Sequence, residues 1–153
     1  MTARSLAALV LAAGLAGRDA GSGAGEDARA NPRDASNVAL GAKVYARNCA
    51  ACHGVKLEGR PDWRKRLVNG RLPAPPHDDS GHTWHHPDEL LFAITKDGLV
   101  PPFAPRDYQS DMPAFGGVLS DEEIWAVLAY IKGQWSAQVR QIRAEMLAGA
   151  RRR

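Results

Sequence analysis

Apolar residues fall at helical spacing in three stretches of this chain, and no stretch alternates long enough to suggest a strand. The clearest run is Ile124, Val127, Leu128 and Ile131, which recur at i, i+3, i+4 and i+7 and so share one helix face. Ser120 and Glu123 precede it at capping-box spacing, and the pattern predicts a helix from Ser120 to about Trp135. A second predicted helix begins near Ser36 or Asn37 and sets Gly41, Tyr45 and Cys49 at successive steps of four, on one face. A glycine on that face lets another helix approach closely. The third runs from Pro87, suited to a first helical turn, through Glu89 to Ile94 and stops at Gly98. Prolines and glycines crowd the region between positions 54 and 118, which predicts loops wrapped around something rather than continuous regular structure.

The ends differ from this middle. Residues 1 to 15 combine Arg4 with an apolar run from Leu6 to Leu15, too short to span a bilayer and followed by small residues. This is the pattern of a secretory leader, read here as residues 1–20 with an uncertain cut. Residues 21–36, with no apolar period, read as a flexible linker. Leu15-Ala16-Gly17 opens like a lipoprotein box, but Arg18 stands where the lipid-bearing cysteine would be, so no lipid anchor is expected. Residues 136–153 read as a basic, solvated helical tail.

Charge sharpens this division. Residues 1 to 36 hold four basic and four acidic groups, residues 37 to 135 hold eleven and twelve, and residues 136 to 153 hold five and one. The basic balance belongs to the tail and is no argument for nucleic-acid binding. The remaining domain, residues 37–135, is thin for a self-sufficient apolar core, and a buried prosthetic group would supply the missing hydrophobic mass.

Both cysteines of the chain lie in Cys49-Ala50-Ala51-Cys52-His53. The CxxCH spacing is that of covalent haem c attachment: two thiols add to the porphyrin vinyl groups and the next imidazole reaches the iron. One covalent haem c is therefore expected, with Cys49 and Cys52 as attachment points and His53 as axial ligand. Two rivals stay open. A thioredoxin-type dithiol would sit beside a βαβ pattern that is not seen here. A zinc site would recruit His82 and His86, but 29 residues separate Cys52 from His82, against about 12 to 15 in the usual pattern.

The opposite axial position decides between electron carriage and chemistry on a bound molecule. Of the three methionines, Met1 belongs to the leader and Met146 to the charged tail, leaving Met112 as the sulfur candidate, with Pro113 favouring extended backbone before it. His82, His85 and His86 form a further cluster, read as capping and backbone-bonding residues ahead of the third helix.

Three features in this order, Gly41-x3-Tyr45-x3-Cys49-x2-Cys52-His53, the Met112-Pro113 loop, and Val127 to Lys132 in the last helix, resemble class I c-type cytochromes, including small haem domains related to cbb3-type oxidase subunits. The resemblance covers about Asn37 to Trp135. It implies an all-α class I cytochrome c fold of three to four main helices, with Gly41 and Tyr45 crossing Val127 and Tyr130 to close the haem crevice. It also implies that the His53 ring is held by a proline carbonyl, with Pro75 or Pro76 the candidate, and that propionates are held from among Trp63, Arg64, Arg66 and Arg71. The function implied is a periplasmic, monomeric electron carrier that serves redox protein partners and is not an enzyme. The alternative is a haem enzyme or gas sensor with a labile sixth ligand.

Overall fold

The computed structural model describes residues 27–150 and 152. The expected leader, residues 1–20, lies outside the described residues. Among the described residues five helices follow in order: α1 Ala35–Asn48, α2 Ala50–His53, α3 Asp88–Asp97, α4 Asp121–Gly133 and α5 Ala137–Ala150, with single 3-10 turns at Ala28–Ala30 and Thr83–His85. No strand occurs among the described residues, as the all-α expectation requires.

Helices α1 and α4 start where a side chain satisfies free N–H donors of the first turn. The cap of α1 is Asp34, whose carboxylate accepts from Ser36 N at 3.0 Å and Asn37 N at 3.1 Å, so the helix opens slightly ahead of its expected start. Pro87 precedes α3 in extended geometry rather than sitting within its first turn. At α4 the capping box forms in full, with Glu123 N donating to Ser120 Oγ at 3.2 Å and Ser120 N to Glu123 Oε2 at 3.0 Å. The helix predicted from Ser36 or Asn37 does not run unbroken through the cysteine motif. It stops at Asn48, and Cys49, at φ −116°, starts the separate turn α2.

Helices α1 and α4 cross at Gly41. A Cβ there would lie 2.0 Å from the Ala126 carbonyl oxygen and 2.8 Å from Tyr130 Cβ, so only glycine permits this approach. Around the crossing, Val44, Tyr45, Leu57, Phe115, Leu119, Ile124, Val127, Ile131 and Trp135 form the main core, and burial of each large apolar side chain contributes about 1.5–3 kcal/mol.

Both flanking segments depart from expectation. Residues 27–36 are not a loose linker: Ala30 is fully buried, Asp27 N donates to Asp88 Oδ2 at 2.7 Å, and the Arg29 guanidinium lies 4.1 Å over the Trp125 ring. Nor is the basic tail simply solvated. Helix α5 buries Val139, Arg143 and Leu147. Arg143 pairs with Asp88 at 2.8 Å, and Asp88, fully buried, also pairs with Lys132 at 2.6 Å. The physical reason is a charge at Asp88 that cannot stay buried alone, and a tail arginine is one of its partners. No helix among the described residues is long and apolar enough to cross a membrane.

Candidate haem site

Helix α2 is one turn long and carries Cys49 at its start and His53 at its end. His53 is buried, and its Nδ1 lies 2.8 Å from the Pro75 carbonyl oxygen. That carbonyl can only accept, so Nδ1 carries the proton and Nε2 keeps a free lone pair for a metal. Burial also lowers the His53 pKa, against the opposing effect of the Pro75 bond, and favours the neutral ring that ligation needs. Of the two expected prolines, Pro75 makes the bond. Pro76 instead packs where Gly59 and Gly81 come close, within 2.4 Å and 2.0 Å of a Cβ placed at those glycines.

Tyr45 supports the same turn from α1. Its hydroxyl donates to the Gly54 carbonyl at 3.0 Å, and its ring lies 5.4 Å from that of Tyr130 in α4. The expected crossing and the attachment turn are thus joined through one side chain. Two supporting residues escaped the sequence reading. The His77 ring stacks on His53 at 3.9 Å between centroids, and Arg60 Nη2 donates to the Ala51 carbonyl at 2.7 Å. His77 had a signal in its place directly after Pro75-Pro76, since a carbonyl that reaches His53 brings its neighbour to the same ring. Arg60 had none.

Cys49 and Cys52 are free thiols, the first partly buried and the second exposed. Burial, with a smaller effect of Cys52, pushes the Cys49 thiol up to about 11. A redox dithiol of the thioredoxin type needs the opposite shift, toward thiolate. The zinc reading meets a similar obstacle, because among the described residues no three His, Cys, Asp or Glu side chains gather where they could hold a metal.

Met112 is partly buried and packs on the same core cluster as Cys49. Its N–H donates to Ser110 Oγ at 3.0 Å, which ties the loop locally. The expected propionate residues do not form one group. Trp63 contacts the Arg64 guanidinium, 4.0 Å over its ring, and His82, stacked at 5.2 Å. Arg71 instead pairs with Asp111, next to Met112, and Arg66 Nη1 donates to the Gly70 carbonyl at 2.6 Å. The histidine cluster does not cap α3 as expected, since no side chain caps that helix. His82 and His86 rings meet at 5.5 Å, while the backbone carbonyls of Trp84 and His86 accept from Arg143.

A neutral buried imidazole with one free nitrogen, two free thiols on the same turn and a thioether on the adjoining core fit a covalently attached haem. The comparisons agree. Residues 36–131 match the family described as cytochrome c oxidase, cbb3-type, subunit III. The chain belongs to the c-type cytochromes. As a c-type cytochrome it carries haem c, bound covalently. It is 30% identical over 105 residues to cytochrome c6 of Synechococcus sp., covering 69% of this chain and 77% of that one. With cytochrome c6 of Picosynechococcus sp. it shares 32% identity over 110 residues, 67% of this chain and 78% of the relative. The gluconate 2-dehydrogenase cytochrome c subunit of Pantoea cypripedii is 33% identical over 95 residues, 62% of this chain but only 20% of that subunit. This cytochrome therefore spans about a fifth of the dehydrogenase subunit. No solved structure matches it.

Proposed function

We propose that this cytochrome is a periplasmic carrier of single electrons between redox proteins, and not an enzyme, with the iron ligated by His53 and Met112 and the porphyrin attached through Cys49 and Cys52. When bound, haem c supplies a one-electron Fe(III)/Fe(II) couple. The observation that carries the reading is the 2.8 Å bond from His53 Nδ1 to the Pro75 carbonyl, which fixes the ring, leaves Nε2 available and raises its basicity. Tyr45 and Arg60 hold the carbonyls of the attachment turn, so the ligand is borne on backbone that has little freedom to move between oxidation states. A saturated iron has no place for substrate, and Met112, which packs on the same core cluster as Cys49, is the sulfur proposed for the sixth position. The domain assigned to this role is residues 37–135, with residues 1–20 as an export leader. Likeness to a dehydrogenase's cytochrome c subunit and to cytochromes c6 supports redox proteins as donor and acceptor.

Optical spectroscopy of the holoprotein, made in a host competent in cytochrome maturation, tests the ligand set. The ferric protein is expected to show the far-red charge-transfer band of methionine ligation, and Met112→Ala to abolish it. Persistence of the band in that variant removes Met112 as ligand, and prompt binding of carbon monoxide by the reduced wild type at neutral pH removes the carrier reading. Recovery of the haem-stained protein in the periplasmic fraction, with a shortened N-terminus, tests the location; a full-length cytoplasmic product counts against it.

A further inference from the structure

The charge of this molecule is divided unevenly around the attachment turn. Residues 54 to 71 hold six basic side chains, Lys56, Arg60, Arg64, Lys65, Arg66 and Arg71, and two acids, Glu58 and Asp62, a net +4. The rest of residues 37 to 135 holds five basic and ten acidic groups, a net −5. Lys56, Arg60, Arg64 and Arg66 are exposed and have no carboxylate partner among the described residues, whose ion pairs in this segment are Lys65 with Asp62 and Arg71 with Asp111.

The same segment carries apolar side chains that face water. Val55 is 74% exposed, Leu67 48% and Val68 fully so. Folding alone does not require three such residues within fourteen positions, whereas Leu57 in the same loop is buried at 3%. Leu57 anchors the loop: it holds the left-handed φ of +67°, and its carbonyl accepts from His77 N at 2.7 Å. The loop is therefore a held surface.

Its position relative to the candidate ligands is the decisive point. It leaves directly from the turn that bears exposed Cys52, is fastened back to it by Arg60 on the Ala51 carbonyl, and ends at Arg71, which pairs with Asp111 beside Met112. It thus joins the His53 side to the Met112 side. We infer that residues 54–71 form the docking surface for an acidic redox protein, with Lys56, Arg64 and Lys65 steering the encounter and Val55, Leu67 and Val68 making the contact. This rests on the carrier reading above and adds the partner's chemistry. A basic patch opposed by a net-negative remainder orients an incoming acidic protein before contact, and so raises the association rate more than the final affinity.

Stopped-flow reduction of the full-length ferric holoprotein by a reduced acidic flavodoxin, one electron lost by the flavin and one gained by the iron, tests the surface. At about 10 mM salt, Lys56→Glu with Lys65→Glu is expected to slow reduction about tenfold, and to converge with wild type at about 300 mM. Arg33→Glu with Arg152→Glu makes the same charge change elsewhere and is expected to stay within about twofold. Val68→Ser is expected to slow reduction at both salt concentrations. Equal losses for the two charge pairs, or no loss in the loop pair, overturn the docking surface while electron carriage stands. A wild type that binds no haem or cannot be reduced fails the carrier reading itself, and the spectrum of each variant is recorded first to separate the two. Binding of the holoprotein to phosphatidylglycerol vesicles that the loop pair abolishes, with flavodoxin rates unchanged, overturns the proposal in favour of a membrane surface.

Discussion

His53 is suited to hold a metal because its neighbours settle its proton. The Pro75 carbonyl fixes Nδ1–H, and burial keeps the ring neutral. Tyr45 gives a residue-level check: Tyr45→Phe removes the donor to the Gly54 carbonyl, and urea unfolding is expected to show a loss of about 1 kcal/mol with the far-red band retained. Loss of the band instead would make the hydroxyl part of the ligand geometry. The histidine cluster gives a pH effect. Burial lowers the pKa of His82, with His86, His85 and Arg64 adding to it, and of His86, with His85 and Arg143 adding to it. Both bind protons more weakly folded than unfolded. Their contribution to stability is therefore complete above the ordinary histidine value and is lost as pH falls from there through the folded values. Urea midpoints followed from about pH 7.5 to about pH 5 are expected to fall more steeply in wild type than in His82→Gln with His86→Gln. Identical slopes would show that neither histidine contributes.

The helices were legible where side-chain periodicity and capping agree. Ser120, Glu123 and the Ile124 to Ile131 stripe locate α4 because cap and buried face are both local chemistry. Gly41 marked a face that another helix could approach closely, and the resemblance supplied α4 as that helix. What stayed hidden depends on distant partners. No local pattern says that Arg60 will bond Ala51, that Arg71 will pair with Asp111 rather than join Trp63, or that a tail arginine will be drawn inside by Asp88. Two substitutions test the legible part. Gly41→Ala forces a methyl into the Ala126 carbonyl, so α1 and α4 must separate; a loss of about 3 kcal/mol or failure to accumulate holoprotein is expected. Ser120→Ala removes one cap bond and is expected to cost about 1 kcal/mol in the same urea titration. If Gly41→Ala costs no more than Ser120→Ala, the crossing is looser than its distances indicate.

At the scale of the whole molecule, Asp88 joins segments that the chain keeps far apart. Its carboxylate accepts from Asp27 N, Lys132 Nζ and Arg143 Nη2, linking the N-terminal turn, α3, α4 and α5 around one fully buried charge. Arg143 also donates to the carbonyls of Trp84 and His86, so the loop before α3 is fastened by the same guanidinium. Such a network weakens asymmetrically, because removing one partner leaves the others desolvated with fewer bonds, and that typically costs about 3–5 kcal/mol. Arg143→Ala is therefore expected to destabilise the holoprotein by about 3 kcal/mol in urea unfolding at neutral pH, with the ferric and ferrous spectra unchanged because Arg143 bonds Asp88 and the Trp84 and His86 carbonyls. Truncation after Trp135 removes Arg143 together with the buried Val139 and Leu147, and should cost at least as much. A truncated protein that unfolds at the wild-type midpoint would mean that α5 lies outside the cooperative unit, returning the tail to the solvated extension that its charge alone suggested.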